Sequence, residues 1–197
     1  MAKLQDFLVS RVRVKLLKAF LSNPQEIYYV RQLVRLTKEA INAVRRELAR
    51  MEKKKMVYKE SRGNRLYYGF RKDYPFYPEL IKLIAKTTGI GGAVIANKNK
   101  IGKLKFAVLS GKFARRKTHK KTDVDLLVIG DVVLPQLATI VKQFEKKLKR
   151  EINYTAMTGE EFAFRKRRRD PFITSILLNS RVMLIGDEED LVSSKEE

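Results

Sequence analysis

The chain has 197 residues and 44% hydrophobic content, enough for one domain or two small ones, each burying a core. It contains no cysteine, which excludes disulfides and thiolate zinc sites. No apolar run is long enough to cross a membrane, and the opening MAKLQDFLVSRVRVKLL lacks a signal peptide's apolar block and cleavage site, so a cytoplasmic protein with no membrane partner is expected. The formal net charge of +21 attracts polyanions at long range, and nucleic acid is the commonest of these. A basic proteome or an rRNA-rich neighbourhood gives the same composition, so an RNA- or ribosome-associated binding protein stays open.

In chain order, Ser10 to Leu21 carries Val12, Val14, Leu16, Leu17, Phe20 and Leu21 among basic residues, a helical spacing that Asn23-Pro24 ends. A short helix is expected over Val30 to Leu36, with Thr37 as N-cap of the next one and Glu39 in its first turn. That next helix, Lys38 to about Lys54, sets Ile41, Val44, Leu48 and Met51 on one face. Glu39, Asn42, Ala43, Arg46, Ala49, Arg50 and Lys53 take the other, the amide and guanidinium types that a helix presents to a DNA major groove. Met56–Glu60 and Arg65–Phe70 then read as two strands around a Ser61–Asn64 turn.

The order helix, short helix, basic helix, basic hairpin, carried by YYVRQLVRLTKEAINAVRRELARMEKKKMVY, resembles a winged helix-turn-helix of the ArsR-like type from about Leu4 to Phe70. The resemblance implies binding of double-stranded DNA through Lys38, Asn42, Arg45, Arg46, Arg50 and Lys53 with the wing's Arg62 and Arg65. Asn42 and Arg46 are expected on bases, and Arg50, Lys53, Arg62 and Arg65 on phosphates. Lys stands where a Gly usually separates the third helix from the wing, leaving that helix without its common left-handed cap.

Tyr77 to Lys86 is an expected amphipathic helix whose Leu80, Leu83 and Ile84 either seal the first domain or form a homodimer seam. The densest glycine cluster, Thr87 to Gly92, is the expected linker. The expected division is residues 1–88, residues 93–190 and an acidic, frayed tail at 191–197.

The second half centres on FAVLSGKFARRKTHKKTDVDLLVIG. Phe106–Leu109 and Leu126–Ile129 have the length and β-branching of buried strands. Alternation along a strand sends Asp123 and Asp125 to one face, where two carboxylates beside a turn with free N–H groups can hold Mg²⁺ and a phosphate chain. A helix from Leu134 to Lys149, a strand from Ile152 to Met157 and a helix from Glu160 to about Arg167, boxed by Thr158 and Glu161, follow. A helix opened by Asp170-Pro171 and a strand from Arg181 to Ile185 complete the run.

Gly111, Phe113, Ala114, Arg115, Asp123 and Asp125, with Thr122 in a serine position, resemble the G-S-x-A-R-G … S-D-x-D signature of the minimal nucleotidyltransferases, members of the DNA polymerase β-like superfamily. The resemblance implies a small mixed-sheet α/β domain, making the chain α+β overall. It further implies a nucleoside triphosphate site at Gly111, Lys112 and Arg115, with Mg²⁺ on Asp123 and Asp125, the catalytic carboxylates if the protein is active. Lys112 replaces the phosphate-contacting serine and Arg116 the second glycine. The third carboxylate position is Asn153, and Glu151, one residue away, points to the other face. An amide neither accepts a proton usefully nor charges a second metal site, so these changes argue against transfer activity.

The basic residues Lys112, Arg115, Arg116, Lys117, Lys120 and Lys121 leave three readings open: phosphate binding, an extended DNA footprint or a solvated loop. His119 reads as a plain loop residue. Arg165–Arg169 ends a helix, where positive charge complements the dipole, and a nucleic-acid patch stays open as its other reading. Three functions remain: a DNA-binding transcriptional regulator with a nucleotide-sensing or oligomerisation domain, an active antitoxin-like nucleotidyltransferase tethered to DNA, or a basic RNA-associated protein.

Overall fold

The computed structural model describes residues 10–117 and 123–193. Thr122, His119, Lys120 and Lys121 lie outside the described residues, as do the start of the expected winged-helix segment and residues 194–197. The chain is mixed helix and strand, α+β, and divides into two compact units, Met1–Thr87 and Thr88–Glu197.

In the first unit α1 (Arg11–Ser22) opens at Ser10, whose Oγ accepts from the Arg13 N–H at 3.2 Å, and stops before Pro24. It buries Val14, Leu16, Leu17, Phe20 and Leu21. β1 (Tyr28–Tyr29) leads into α2 (Val30–Thr37), and α3 (Ile41–Lys53) follows after three residues. β2 (Val57–Arg62) and β3 (Arg65–Phe70) form an antiparallel hairpin around Gly63 and Asn64, two residues fewer than expected. Gly63 has φ +53°, the conformation that a tight hairpin loop requires. β3 lies between β1 and β2. α4 (Tyr77–Thr87) packs Tyr77, Ile81 and Ile84 inward and lies against α1. Ile81 is buried in place of the expected Leu80 and Leu83, which are half-buried. Aromatic rings join the pieces: Phe20 meets Tyr28 at 5.8 Å and Phe70 at 6.4 Å, and Phe70 meets Tyr77 at 6.0 Å.

Three expectations about helix ends are corrected. Thr37 does not cap α3. It closes α2, 2% exposed, with its hydroxyl donating to the Leu33 carbonyl at 2.7 Å. Lys38 then takes the left-handed conformation, φ +53°, and its N–H reaches Val34 O at 2.8 Å, so α3 starts at Ile41 and Lys38 is not on it. The left-handed cap of α3 is also present. Lys55 has φ +55°, its N–H reaches Glu52 O at 2.8 Å and the Met56 N–H reaches Met51 O at 2.9 Å, both bonds of a Schellman end, made without glycine.

The second unit begins with α5 (Gly89–Ala96), so the glycines expected as linker are instead its first turn, with Gly91 and Gly92 buried. α6 (Lys98–Ile101) leads to β4 (Gly102–Ser110), a single helical turn α7 (Gly111–Ala114), β5 (Leu126–Val132), α8 (Leu134–Leu148) and β6 (Tyr154–Met157). α9 (Gly159–Arg167), α10 (Pro171–Leu178), β7 (Arg181–Ile185) and α11 (Glu188–Val192) complete the unit. The sheet order is β6-β5-β4-β7. β4 is antiparallel to β5 and β7, while β5 and β6 are parallel across α8, making a small mixed sheet. Phe106, Val108, Leu127 and Ile129 face a core with Met157, Phe162, Ile173, Met183 and Leu191. α5 packs on α8 and β7.

Helix starts here follow local chemistry. Thr158 Oγ1 accepts from the Glu161 N–H at 3.1 Å, and Asp170 Oδ1 accepts from Phe172 at 2.9 Å and Ile173 at 3.2 Å. The expectation of a frayed tail is corrected as far as Ser193: α11 buries Leu191 completely, and Lys166 Nζ donates to the Leu191 and Ser193 carbonyls at 2.7 and 2.6 Å. That apolar anchor lay hidden among acidic neighbours.

Candidate functional site

In the first unit, α3 buries Val44, Glu47, Leu48 and Met51, which leaves Asn42, Arg45, Arg46, Arg50 and Lys53 exposed. Lys38 is exposed in the α2–α3 turn. Among the described residues no carboxylate lies within ion-pair distance of Lys38, Arg45, Arg46 or Lys53. Glu39, expected on the outer face, turns back to α1 instead. It accepts from Lys15 Nζ at 2.7 Å and Arg11 Nη2 at 3.0 Å, and those hydrogen bonds, Lys15 first, hold its carboxyl below the usual glutamate range. Glu47 was not foreseen as buried. At 3% exposure it holds the Arg13 guanidinium and lies 3.4 Å from Arg50 Nη1, which anchors one edge of a side chain that is otherwise in solvent.

The hairpin carries Arg62 and Arg65 as cross-strand partners beside its tip. Arg62 pairs with Glu60 at 2.7 Å and its guanidinium sits 5.7 Å from the Tyr67 ring centre. Arg65 sits 4.9 Å from the Tyr29 ring centre. Tyr29 and Tyr67 are register partners of β1 and β3, meeting edge to face at 5.7 Å. Arg35, on α2, donates from Nη2 to the Tyr29 hydroxyl at 2.9 Å and lies 5.9 Å from the same ring. Tyr29, Tyr67 and Arg35 escape a periodicity reading because the β1–β3 pairing that gathers them is non-local.

In the second unit the acidic pair is not arranged as expected. Residues 123–125 precede β5, so strand alternation does not govern them. Asp123 is half-buried and its Oδ2 lies 3.0 Å from Lys112 Nζ. Asp125 is 1% exposed, and its Oδ2 accepts from Arg150 Nη2 at 3.1 Å and from the Asn153 N–H at 3.2 Å. The Arg150 guanidinium is in turn 4.7 Å from the Phe113 ring centre. Asn153 stands beside both acids: its amide donates to the Asp123 carbonyl at 3.2 Å, and its own carbonyl accepts from the Asp125 N–H at 2.7 Å. Asn153, expected at the third-carboxylate position, precedes β6 and presents an amide donor there. Glu151 is exposed.

The expected phosphate cradle is occupied by the protein itself. The Gly111 N–H donates to Ser180 O at 2.8 Å, and a Cβ on Gly111 would overlap Ser180, so the close approach this glycine permits is to the residue just before β7. The Ser110 N–H donates to Asp125 O at 2.8 Å, and Arg115 Nη1 donates to Ser180 Oγ at 3.0 Å. α7 is one turn long and offers no helix-terminal anion site. Arg116, in the second glycine position, has φ +52°, and burial, then Arg150, lowers its pKa. In the Arg165–Arg169 run, Arg165 pairs with Glu161 at 2.7 Å and the Arg168 guanidinium lies 4.6 Å from the Phe164 ring centre.

A cavity of about 230 Å³ opens beside this site. Val108, Val124, Leu127, Phe172 and Ile176 give it an apolar floor, and Lys112, Asp123 and Arg181 stand on its polar side. Asp125 is not in its lining. The donors do not suit Mg²⁺ in this arrangement, since a shared metal would have to displace both Lys112 and Arg150, and Asn153 presents N–H where a third oxygen would be needed.

No family model, curated protein or solved structure matches the chain.

Proposed function

We propose that the protein is a DNA-binding transcriptional regulator whose first unit acts as a winged helix-turn-helix. The observation that carries this reading is the exposed row Asn42, Arg45, Arg46, Arg50 and Lys53 on α3. It lies on the second helix of a helix, three-residue turn, helix arrangement, and is followed directly by a hairpin bearing Arg62 and Arg65. An α-helix of this width enters a major groove, its amide and guanidinium groups reach base edges, and flanking cations neutralise phosphates. Selection of duplexes from a random pool, followed by competition with structured RNA, tests the reading. A selected duplex that outcompetes the RNA supports it, and preference for the RNA defeats it.

The second unit is proposed to be a nucleotidyltransferase-like module without transfer activity, kept for nucleotide sensing or oligomerisation. Its two signature carboxylates are paired with Lys112 and Arg150, and its third is an amide. Labelled ATP with Mg²⁺ or Mn²⁺ is expected to give no labelled protein or RNA; transfer abolished by Asp125→Ala would make the protein an enzyme.

A further inference from the structure

The aromatic and cationic cluster where β1 meets the hairpin carries a role that the α3 row does not. Tyr29 ends β1 and directly precedes α2, so its position is fixed by two elements at once. Two guanidinium groups from different elements converge on its ring. Arg35 of α2 is hydrogen-bonded to its hydroxyl at 2.9 Å, and Arg65 of β3 lies 4.9 Å from its centre. Among the described residues no carboxylate lies within ion-pair distance of either arginine, and both are exposed.

A guanidinium held against a ring, as Arg65 is, or by one hydrogen bond to its hydroxyl, as Arg35 is, keeps its other N–H groups open while losing rotamer freedom before any ligand arrives, the state in which arginine binds phosphate at least entropic cost. The Tyr29 ring already meets the Arg65 guanidinium and the Tyr67 ring, and its hydroxyl holds Arg35, which disfavours a stacking platform for unpaired bases. The chemistry left is recognition of phosphates held at fixed spacing along a backbone.

We infer that Tyr29 is a positioning residue that holds Arg35 and Arg65 as one clamp on neighbouring phosphates of a DNA strand, so that α2 and the wing dock as a single piece. The inference rests on the DNA-binding reading above.

The test uses the full chain and a selected duplex, with affinity measured across a salt series. Arg35→Ala and Arg65→Ala should each flatten the slope of log affinity against log salt by about 0.9, one phosphate contact apiece. Tyr29→Leu, which removes no charge, should flatten it by nearly as much as the double arginine variant. Tyr29→Phe, keeping the ring and losing the hydroxyl, should fall between. A folded Tyr29→Leu with the wild-type slope would overturn the inference. If Tyr29→Leu does not fold, a wild-type slope in either single arginine variant would overturn it. A wild-type protein that binds no duplex defeats the DNA-binding reading itself, whereas a wild type that binds duplex with slopes unmoved by these variants defeats only the clamp.

Discussion

The Arg150 guanidinium donates from Nη2 to Oδ2 of Asp125 at 3.1 Å, a pairing that spans 25 positions of the chain. Asp125 is 1% exposed and Arg150 largely covered, so the pair sits in a low-dielectric setting where neither charge tolerates loss of the other. Lys112 stands against Asp123 in the same way at 3.0 Å. Cationic side chains of the chain itself thus pair with both Asp123 and Asp125.

Removing one partner of the inner pair should therefore be costly. Arg150→Ala is expected to lower stability by about 3–5 kcal/mol in chemical denaturation, because it leaves a buried carboxylate without its cation. Arg150→Met combined with Asp125→Leu should recover most of that loss. A double variant as unstable as Arg150→Ala would show that packing, and not charge pairing, sets the cost.

The same balance predicts little response to divalent metal. Ligands that bind the folded state raise its melting temperature, so Mg²⁺ should shift the midpoint no more than a monovalent salt at equal ionic strength. A metal-specific rise that disappears in Asp123→Ala would contradict the paired arrangement.

Much of this fold is legible from residue pattern alone. The runs Phe106–Leu109 and Leu126–Ile129, expected as buried strands, lie in β4 and β5, while their antiparallel pairing, Leu109 opposite Leu126 and Phe106 opposite Ile129, is a non-local feature the runs do not specify. The buried faces of α1 and α3 follow their apolar spacing, whereas α4 buries Ile81 in place of Leu80 and Leu83. What stayed hidden was non-local or conformational. Arg150 reaches Asp125 across 25 positions, and Tyr29 meets Arg65 only through the β1–β3 register. The Gly89–Gly92 cluster opens a helix, with Gly91 and Gly92 buried and Gly89 exposed at φ +59°, which a reading of glycine as linker does not foresee.

Left-handed positions form the second hidden class. The non-glycine residues with positive φ among those described are Lys38, Lys55, Arg116, Lys149 and Arg169, all basic. Each follows a helix end, where positive charge complements the carbonyl dipoles, so the charge term offsets part of the steric cost of a Cβ in that conformation. Lys55→Gly should relieve that cost and raise stability by about 0.5–1 kcal/mol, after allowing for glycine's freedom in the unfolded chain. A rise in the denaturation midpoint with unchanged slope would support this, and a fall would show that the lysine side chain contributes more than its backbone strain costs.

Acid should weaken the first unit through Glu39. Its folded-state pKa is depressed below the ordinary 4.5 by Lys15 and then Arg11, so its contribution is present above that value and is lost as pH falls through the lower folded one. Glu39→Gln should lower stability at neutral pH and remove that part of the acid dependence, leaving the shape of the neutral-to-basic limb unchanged. A variant whose acid limb matches the wild type would assign the effect to other carboxylates.

The central claim is that α3 reads duplex DNA, and Arg46→Ala tests it most directly. Its side chain is exposed and no carboxylate among the described residues pairs with it, so the variant should fold as the wild type does. Measured against a selected duplex and its single-base substitutions, Arg46→Ala should cost about 1–3 kcal/mol and relax discrimination at one position. Unchanged affinity and unchanged preference would contradict the account.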